Sequence, residues 1–353
     1  MKNFRHSVNL IGLAVILTGC MVGPDYQQPE TTVPQNWVSS QGHQAANDGI
    51  SLEQSWWENF HDPVLNQLIN KALNANPDIK TAETRIASAR ASRASASAAL
   101  LPTGDLMGSA NRQGNQLGFP SGGPANLSSL VKEPFSIFKS GFDASWELDL
   151  FGGHRRELES AEAELTASAI SREDVFISTL AEVAKTYVEI RQYQVQLQNA
   201  MDTIDADNKS AAITRQRAEV GDTARIDVSY AESRLEHDQA QIAYFSNLLS
   251  QAEYSLDVLL GEKPGITHDL VGAGSVVPLS DKQLILAAPA MVIANRPDIR
   301  NAERKLAAAT AQQGVAVAKF FPDVSLSGFI GLFNTNAANF LNLSSKSWSM
   351  GAS

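Results

Sequence analysis

FISTLAEVAKTYVEIRQYQVQLQNAMDTIDADNKSAAITRQRA, residues 176–218, is the stretch from which the fold is read. Every seventh residue from its start is apolar: Phe176, Val183, Ile190, Leu197, Ile204, Ala211 and Ala218. Leu180, Tyr187 and Met201 supply a second line, with Gln194, Asn208 and Arg215 as polar interruptions. A seven-residue apolar repeat sustained over this length specifies a coiled-coil seam, and no proline breaks it. Working outward, the helix extends back to Arg155 and forward to a tight turn at Val220-Gly221-Asp222. Beyond the turn the pattern returns in Val228, Leu235, Ile242, Leu249 and Leu256, helped by Ala231, Phe245, Ala252 and Leu259. Residues 154–260 therefore read as one long helical hairpin. At about 1.5 Å per residue, the outgoing arm spans roughly 96 Å, several times the width of a compact domain.

Composition excludes several functions. The net charge is −10 without a basic patch, which argues against a nucleic-acid partner. One cysteine, Cys20, rules out a disulfide framework and a cysteine-based zinc site. The six histidines are scattered with no pair at ligand spacing, so no metal or cofactor is expected. No run of 18 apolar residues occurs, so no transmembrane helix is expected. Nor is there a nucleophile elbow or a phosphate loop, and an enzyme is not expected.

Residues 1–19 read as a signal peptide: Lys2 and Arg5 precede an apolar core from Val8 to Leu17. Leu17-Thr18-Gly19-Cys20 matches a lipoprotein processing site, so Cys20 is the expected lipidation site and several acyl chains give stable anchoring. Met21 follows where lipoproteins retained in the inner membrane usually carry Asp, which favours outer-membrane lipid. Residues 20–55, rich in Pro, Gln and Ser, read as an extended tether. Residues 56–101 open with Trp56-Trp57-Glu58-Asn59-Phe60 and hold one helix with a single apolar face starting at Pro63 and one short Ala-rich helix starting at Pro77.

The segment that opens with Pro77-Asp78-Ile79 recurs at Pro297-Asp298-Ile299, an offset of 220 residues. Over 76–110 against 296–330, thirteen of thirty-five positions agree without a gap, which is enough to fix the register from Pro77/Pro297 to Pro102/Pro322. The chain thus holds two tandem copies of one unit. The second copy begins after a connecting segment at 261–295, with its helix at 296–321. The outgoing arm equals in length the returning arm plus the helix from Pro77, so those two are expected to line it end to end.

After each terminal proline the period changes to two. Phe142, Ala144, Trp146, Leu148 and Leu150 alternate with Asp143, Ser145, Glu147 and Asp149, the pattern of a strand with one apolar and one watery side. Half of a soluble sheet and a membrane-spanning strand both fit this pattern. Leu106, Gly108 and Ala110 mark a partner strand in 102–153, with Gly114 to Glu133 as a loop. Val324 to Leu332 and Ser347 to Ser353 mark a second pair in 322–353, with Asn334 to Ser345 as its loop. Four strands cannot close a bacterial-type barrel, which needs at least about eight, so strands would be pooled from several copies.

Here the chain resembles the TolC-like outer-membrane factors of tripartite efflux pumps, in their lipoprotein branch. The residues that carry this are Cys20, Trp56 to Pro63, Leu148-Asp149-Leu150-Phe151-Gly152-Gly153, Asn295 to Ile299 and Phe321-Pro322, with the turn at Val220-Gly221. The resemblance implies a mainly α fold with membrane β-strands. Long antiparallel coiled-coil helices form a periplasmic tunnel, and a homotrimer shares one twelve-stranded β-barrel. It implies a passive duct for small molecules such as drugs, partnered by a periplasmic adaptor and an inner-membrane RND-type pump. Hairpin tips in that family meet the adaptor, which assigns this contact to Arg217, Val220, Gly221, Asp222 and Thr223; a plain capping turn is the alternative. Asp143, Glu147 and Asp149 would face the lumen. If the offset continued, the counterpart of Leu260 would fall at 480, so the expectation is a chain lacking 480 − 353 = 127 residues, the second hairpin. Two further readings are a lipid-anchored coiled-coil interaction protein that conducts nothing and a type I secretion duct.

Overall fold

The computed structural model describes residues 21–30, 55–113, 135–274, 276–279 and 289–353. The expected signal peptide, Cys20, most of the tether and the 114–133 loop lie outside the described residues. The helices are α1 (Pro63–Ala75), α2 (Pro77–Ala98), α3 (Gly153–Glu219), α4 (Arg225–Leu259), α5 (Ile266–Val271), α6 (Pro289–Asn295) and α7 (Pro297–Ala318). The strands are β1 (Thr103–Gln113), β2 (Phe135–Leu148), β3 (Val324–Asn334) and β4 (Lys346–Ala352). They fall into two compact units. One comprises the N-terminal stretch to Gln28, Ala89–Leu165 and Arg304–Ser353; the other comprises Pro29–Ser88 and Thr166–Glu303.

The first unit carries the sheet, antiparallel throughout, in the order β1-β2-β3-β4. Gly108 pairs with Ser140, and Gly328 with Met350. The offsets are 328 − 108 = 220 and 350 − 140 = 210, so the second hairpin repeats the register of the first with a loop ten residues shorter. The repeat seen in sequence is therefore also a repeat of strand pairing. Below the sheet, α7 packs through Ala307, Ala308, Ala311, Gly314 and Ala318, small residues that let helices approach closely. Ser160 of α3 accepts from Gln312 of α7 at 3.0 Å, and Arg93 of α2 pairs with Glu162 of α3 at 2.8 Å.

The second unit is built on the hairpin. Its core gathers Leu65, Leu68, Ile69 and Ala72 of α1, Leu180, Val183, Tyr187 and Ile190 of α3, and Ala252 and Leu256 of α4. Asp62 caps α1 by accepting from Val64 and Leu65. Its other oxygen accepts from the Tyr187 hydroxyl at 2.6 Å. Burial first, then that bond, push the Tyr187 phenol up to about 12. Arg191 donates to Tyr187 Oη and to the carbonyls of Val271 and Gly272, so a buried guanidinium joins α3 to the end of α5. Asn76, 1% exposed, caps α2 through Asp78 and Ile79 and donates to the carbonyl of Leu259, the last residue of α4. The end of α4 thus meets the start of α2.

The seam departs from the sequence reading in its outer half. Val183, Ile190, Leu180, Tyr187 and Ala211 are buried, but Met201 is exposed and Asp207 and Thr214 take its line. The inner positions there run 204, 207, 211, 214, 218. A straight helix drifts about 20° per heptad against a strict seven-residue repeat, so the second line moves from one side of the first to the other. The strand around Phe142 also differs: β2 starts at Phe135 and stops at Leu148, leaving Asp149 and Leu150 outside it.

Candidate functional site: a two-faced sheet and a hairpin tip

Directly paired residues of an antiparallel sheet point to the same side, so the register assigns every side chain to a face. Leu106, Phe142, Ile330 and Trp348 form one cross-strand row. All four are exposed, at 74%, 63%, 67% and 75%. Trp146, Leu326 and Met350 share that face and are exposed too. The opposite face is mainly polar: it carries Asp105, Lys139, Asp143, Ser145, Glu147, Ser325 and Ser327, with Met107, Ile137, Phe329 and Phe333 set among them. An apolar face this continuous and uncovered, backed by a polar one, inverts the soluble arrangement and matches a strand set between lipid and water.

Asp143 lies on the polar face and pairs with Lys139 at 3.6 Å. Glu147 lies there as well, 3.4 Å from His154 Nε2. Asp149 has another role. It accepts from the backbone of His154 and Arg155 at 3.1 and 3.0 Å, capping the first turn of α3, and pairs with Arg155 Nε at 2.9 Å. The sequence reading missed Phe329. The residue is only 9% exposed although it lies on the polar side, with its ring under Lys139 Nζ at 4.0 Å and beside the paired Gly141 and Gly331. Glycine on both strands leaves room for the ring to lie flat against the wall. Two glycines within the strand periods were the only signal for it.

The hairpin tip is a glycine-terminated helix end. Gly221 sits at φ +79, Asp222 N–H donates to Arg217 O at 2.9 Å and Gly221 N–H to Ala218 O at 3.2 Å. This is the Schellman arrangement. Arg217 Nε lies 3.8 Å from Asp222, an exposed pair of small energetic weight. Thr223 Oγ1 donates to Asp227, which also accepts from Ala224 N–H and so starts α4. Val220 stands 80% exposed at the apex. The capping turn and a presented apolar residue therefore coexist at this tip. Among the described residues no group of three or more His, Cys, Asp or Glu is placed to hold a metal ion.

Against known proteins, residues 68–262 and 288–353 match the family model described as outer membrane efflux protein. Nodulation protein T of Rhizobium leguminosarum bv. trifolii is 32% identical over 319 residues, which cover 90% of this chain and 65% of that protein. Antibiotic efflux pump outer membrane protein ArpC of Pseudomonas putida is 30% identical over 345 residues, 96% of this chain and 70% of that protein. The solved outer-membrane channel OprN superposes with a TM-score of 0.83 at 32% identity, covering 95% of this chain and 72% of that one. The chain thus spans about two thirds of the length of the curated relatives it matches.

Proposed function

The chain belongs to the outer membrane efflux protein family, and from that premise we propose that it is a subunit of a passive outer-membrane exit duct for small molecules. The observation that carries this is the four-stranded sheet, with one exposed apolar face, one polar face and open outer edges on β1 and β4. Exposed edges call for pairing, and four strands from each of three copies close a twelve-stranded barrel. Asp143 and Glu147 then line a water-filled lumen, and the row from Leu106 to Trp348 meets lipid.

A second feature supports a tunnel wall. Besides its inner seam, α4 carries an exposed stripe at alternating steps of four and three: Ile226, Tyr230, Ser233, His237, Ala240, Tyr244, Asn247, Gln251, Tyr254 and Val258. A helix with two heptad stripes serves two helical neighbours. The tip from Arg217 to Thr223 is the surface for a periplasmic adaptor, which connects the duct to an inner-membrane RND-type pump. Cys20 carries the lipid anchor. Transport through such a duct needs no catalytic residue, because lining and packing set what passes. The test is single-channel conductance in planar lipid bilayers, with a heat-modifiable trimer band on gels as companion. A protein that migrates only as monomer and opens no pore overturns the reading.

A further inference from the structure

Residues 21–28 form neither helix nor strand, yet they are pinned to the rest of the first unit at six points. Val22 N–H donates to the carbonyl of Phe151 at 3.1 Å. The guanidinium of Arg156 donates from Nε to the carbonyl of Val22 at 3.2 Å and from Nη2 to Asp25 at 2.6 Å. Arg304 stands over the Tyr26 ring at 5.6 Å. A Cβ placed on Gly152 would lie 2.8 Å from Met21 Cα, and one on Gly23 would lie 2.6 Å from Gly314 Cα. The last two distances mean that backbone touches backbone, which only glycine permits.

Gly314 is the centre of this contact. A methyl group there would meet Cγ and Cδ of Arg156 at 2.9 Å, while Gly23 presses on its Cα. In the first repeat the corresponding residue is Ala94, since 314 − 220 = 94. The two copies therefore differ at the notch that the N-terminal segment enters. Arg156 itself is 2% exposed, a buried cation whose partners are Glu159 of its own helix and two groups of this segment. Leaving such a cation half-satisfied is costly, so the segment and Arg156 hold each other in place.

The segment ties the junction between β2 and α3 to α7, joining first repeat to second. Its upstream end is seated at Gly152, just past the last residues of the apolar sheet face. We infer that residues 21–28 are a strap that fixes where the N-terminal anchor leaves the body, with Arg156 as its positioning residue and Gly314 as its notch. The strap rests on geometry alone; only the lipid at its upstream end rests on the proposed function.

The test is a nitroxide at Gln27→Cys in the full-length protein, read by electron spin resonance. The docked strap gives a motionally restricted spectrum. Gly23→Val acts from the strap side and leaves the packing of the body intact; it is expected to turn the restricted signal into a minor component. Arg156→Ala is expected to do the same, with partial rescue by Arg156→Lys. An unchanged spectrum in Gly23→Val, or a parent spectrum that is already mobile, overturns the inference. Label stoichiometry separates the two readings: one nitroxide per chain reports an acylated Cys20, and two report a free thiol, whatever the mobility.

Discussion

Ile330→Arg tests the two-faced sheet at its centre. β3 has eleven residues, and Ile330 stands one residue past the middle one, Phe329. At about 3.3 Å per residue and a tilt near 45°, the strand covers roughly 25 Å of height and Ile330 lies about 2 Å from the midplane. An arginine on the lipid side at that depth costs about 2–4 kcal/mol, and three protomers would each bear it. Ser327→Arg is the control: three residues away along the same strand, exposed, and on the polar face beside Ser145. There the cost is expected to stay within about 0.5 kcal/mol, as for an ordinary exposed substitution. The assay is denaturant unfolding in phospholipid vesicles, followed by the fluorescence of Trp146 and Trp348, with trimer survival on gels alongside. Equal destabilisation by both substitutions, or a neutral Ile330→Arg, would refute the assignment of faces.

Three other outcomes follow from the second unit. Arg191→Ala leaves the buried carbonyl of Val271 without its donor and removes one of the two partners of the Tyr187 hydroxyl, and should destabilise by about 1–3 kcal/mol, against about 1 kcal/mol for Tyr187→Phe, both measured by helical signal against denaturant. Asp238 of α4 faces Asp207 of α3 across the seam, with Arg234 and His237 beside it, and Asp207 first, then burial, raise its carboxyl above the ordinary value. The folded state therefore favours the protonated form. Stability should rise as pH falls toward that raised value and be lost as pH climbs through it, and Asp238→Asn should remove this dependence and stiffen the hairpin at pH 7. His268 is raised by its hydrogen bond to Glu253, so its small contribution is full below the usual histidine value and lost as pH rises through the raised one; Glu253→Gln should flatten that step in thermal melts above pH 6.

The elements that the sequence determined are those with a period of their own. A seam repeating every seven residues, a face alternating every two and a Pro-Asp-Ile start recurring after 220 need only the chain's local geometry, and the hairpin, the four strands and the tandem repeat were legible for that reason. Tertiary structure decided whatever depends on which distant elements meet. Asp149 continues the alternation in sequence but caps α3, because the chain turns at that point and the free N–H groups of the helix lie within its reach. Met201 fits a strict heptad, yet a straight helix rotates it out and brings Asp207 in. Asn76 caps α2 and also donates its amide to the end of α4, a contact that exists only because the fold brings residue 259 to residue 76. Gly314 lies inside a helix, and the fold uses it to admit the chain's own N-terminal strap across nearly three hundred residues. Periodicity is a property of one segment, but a notch, a buried cation and a cap acquire meaning only from the segment that fills them.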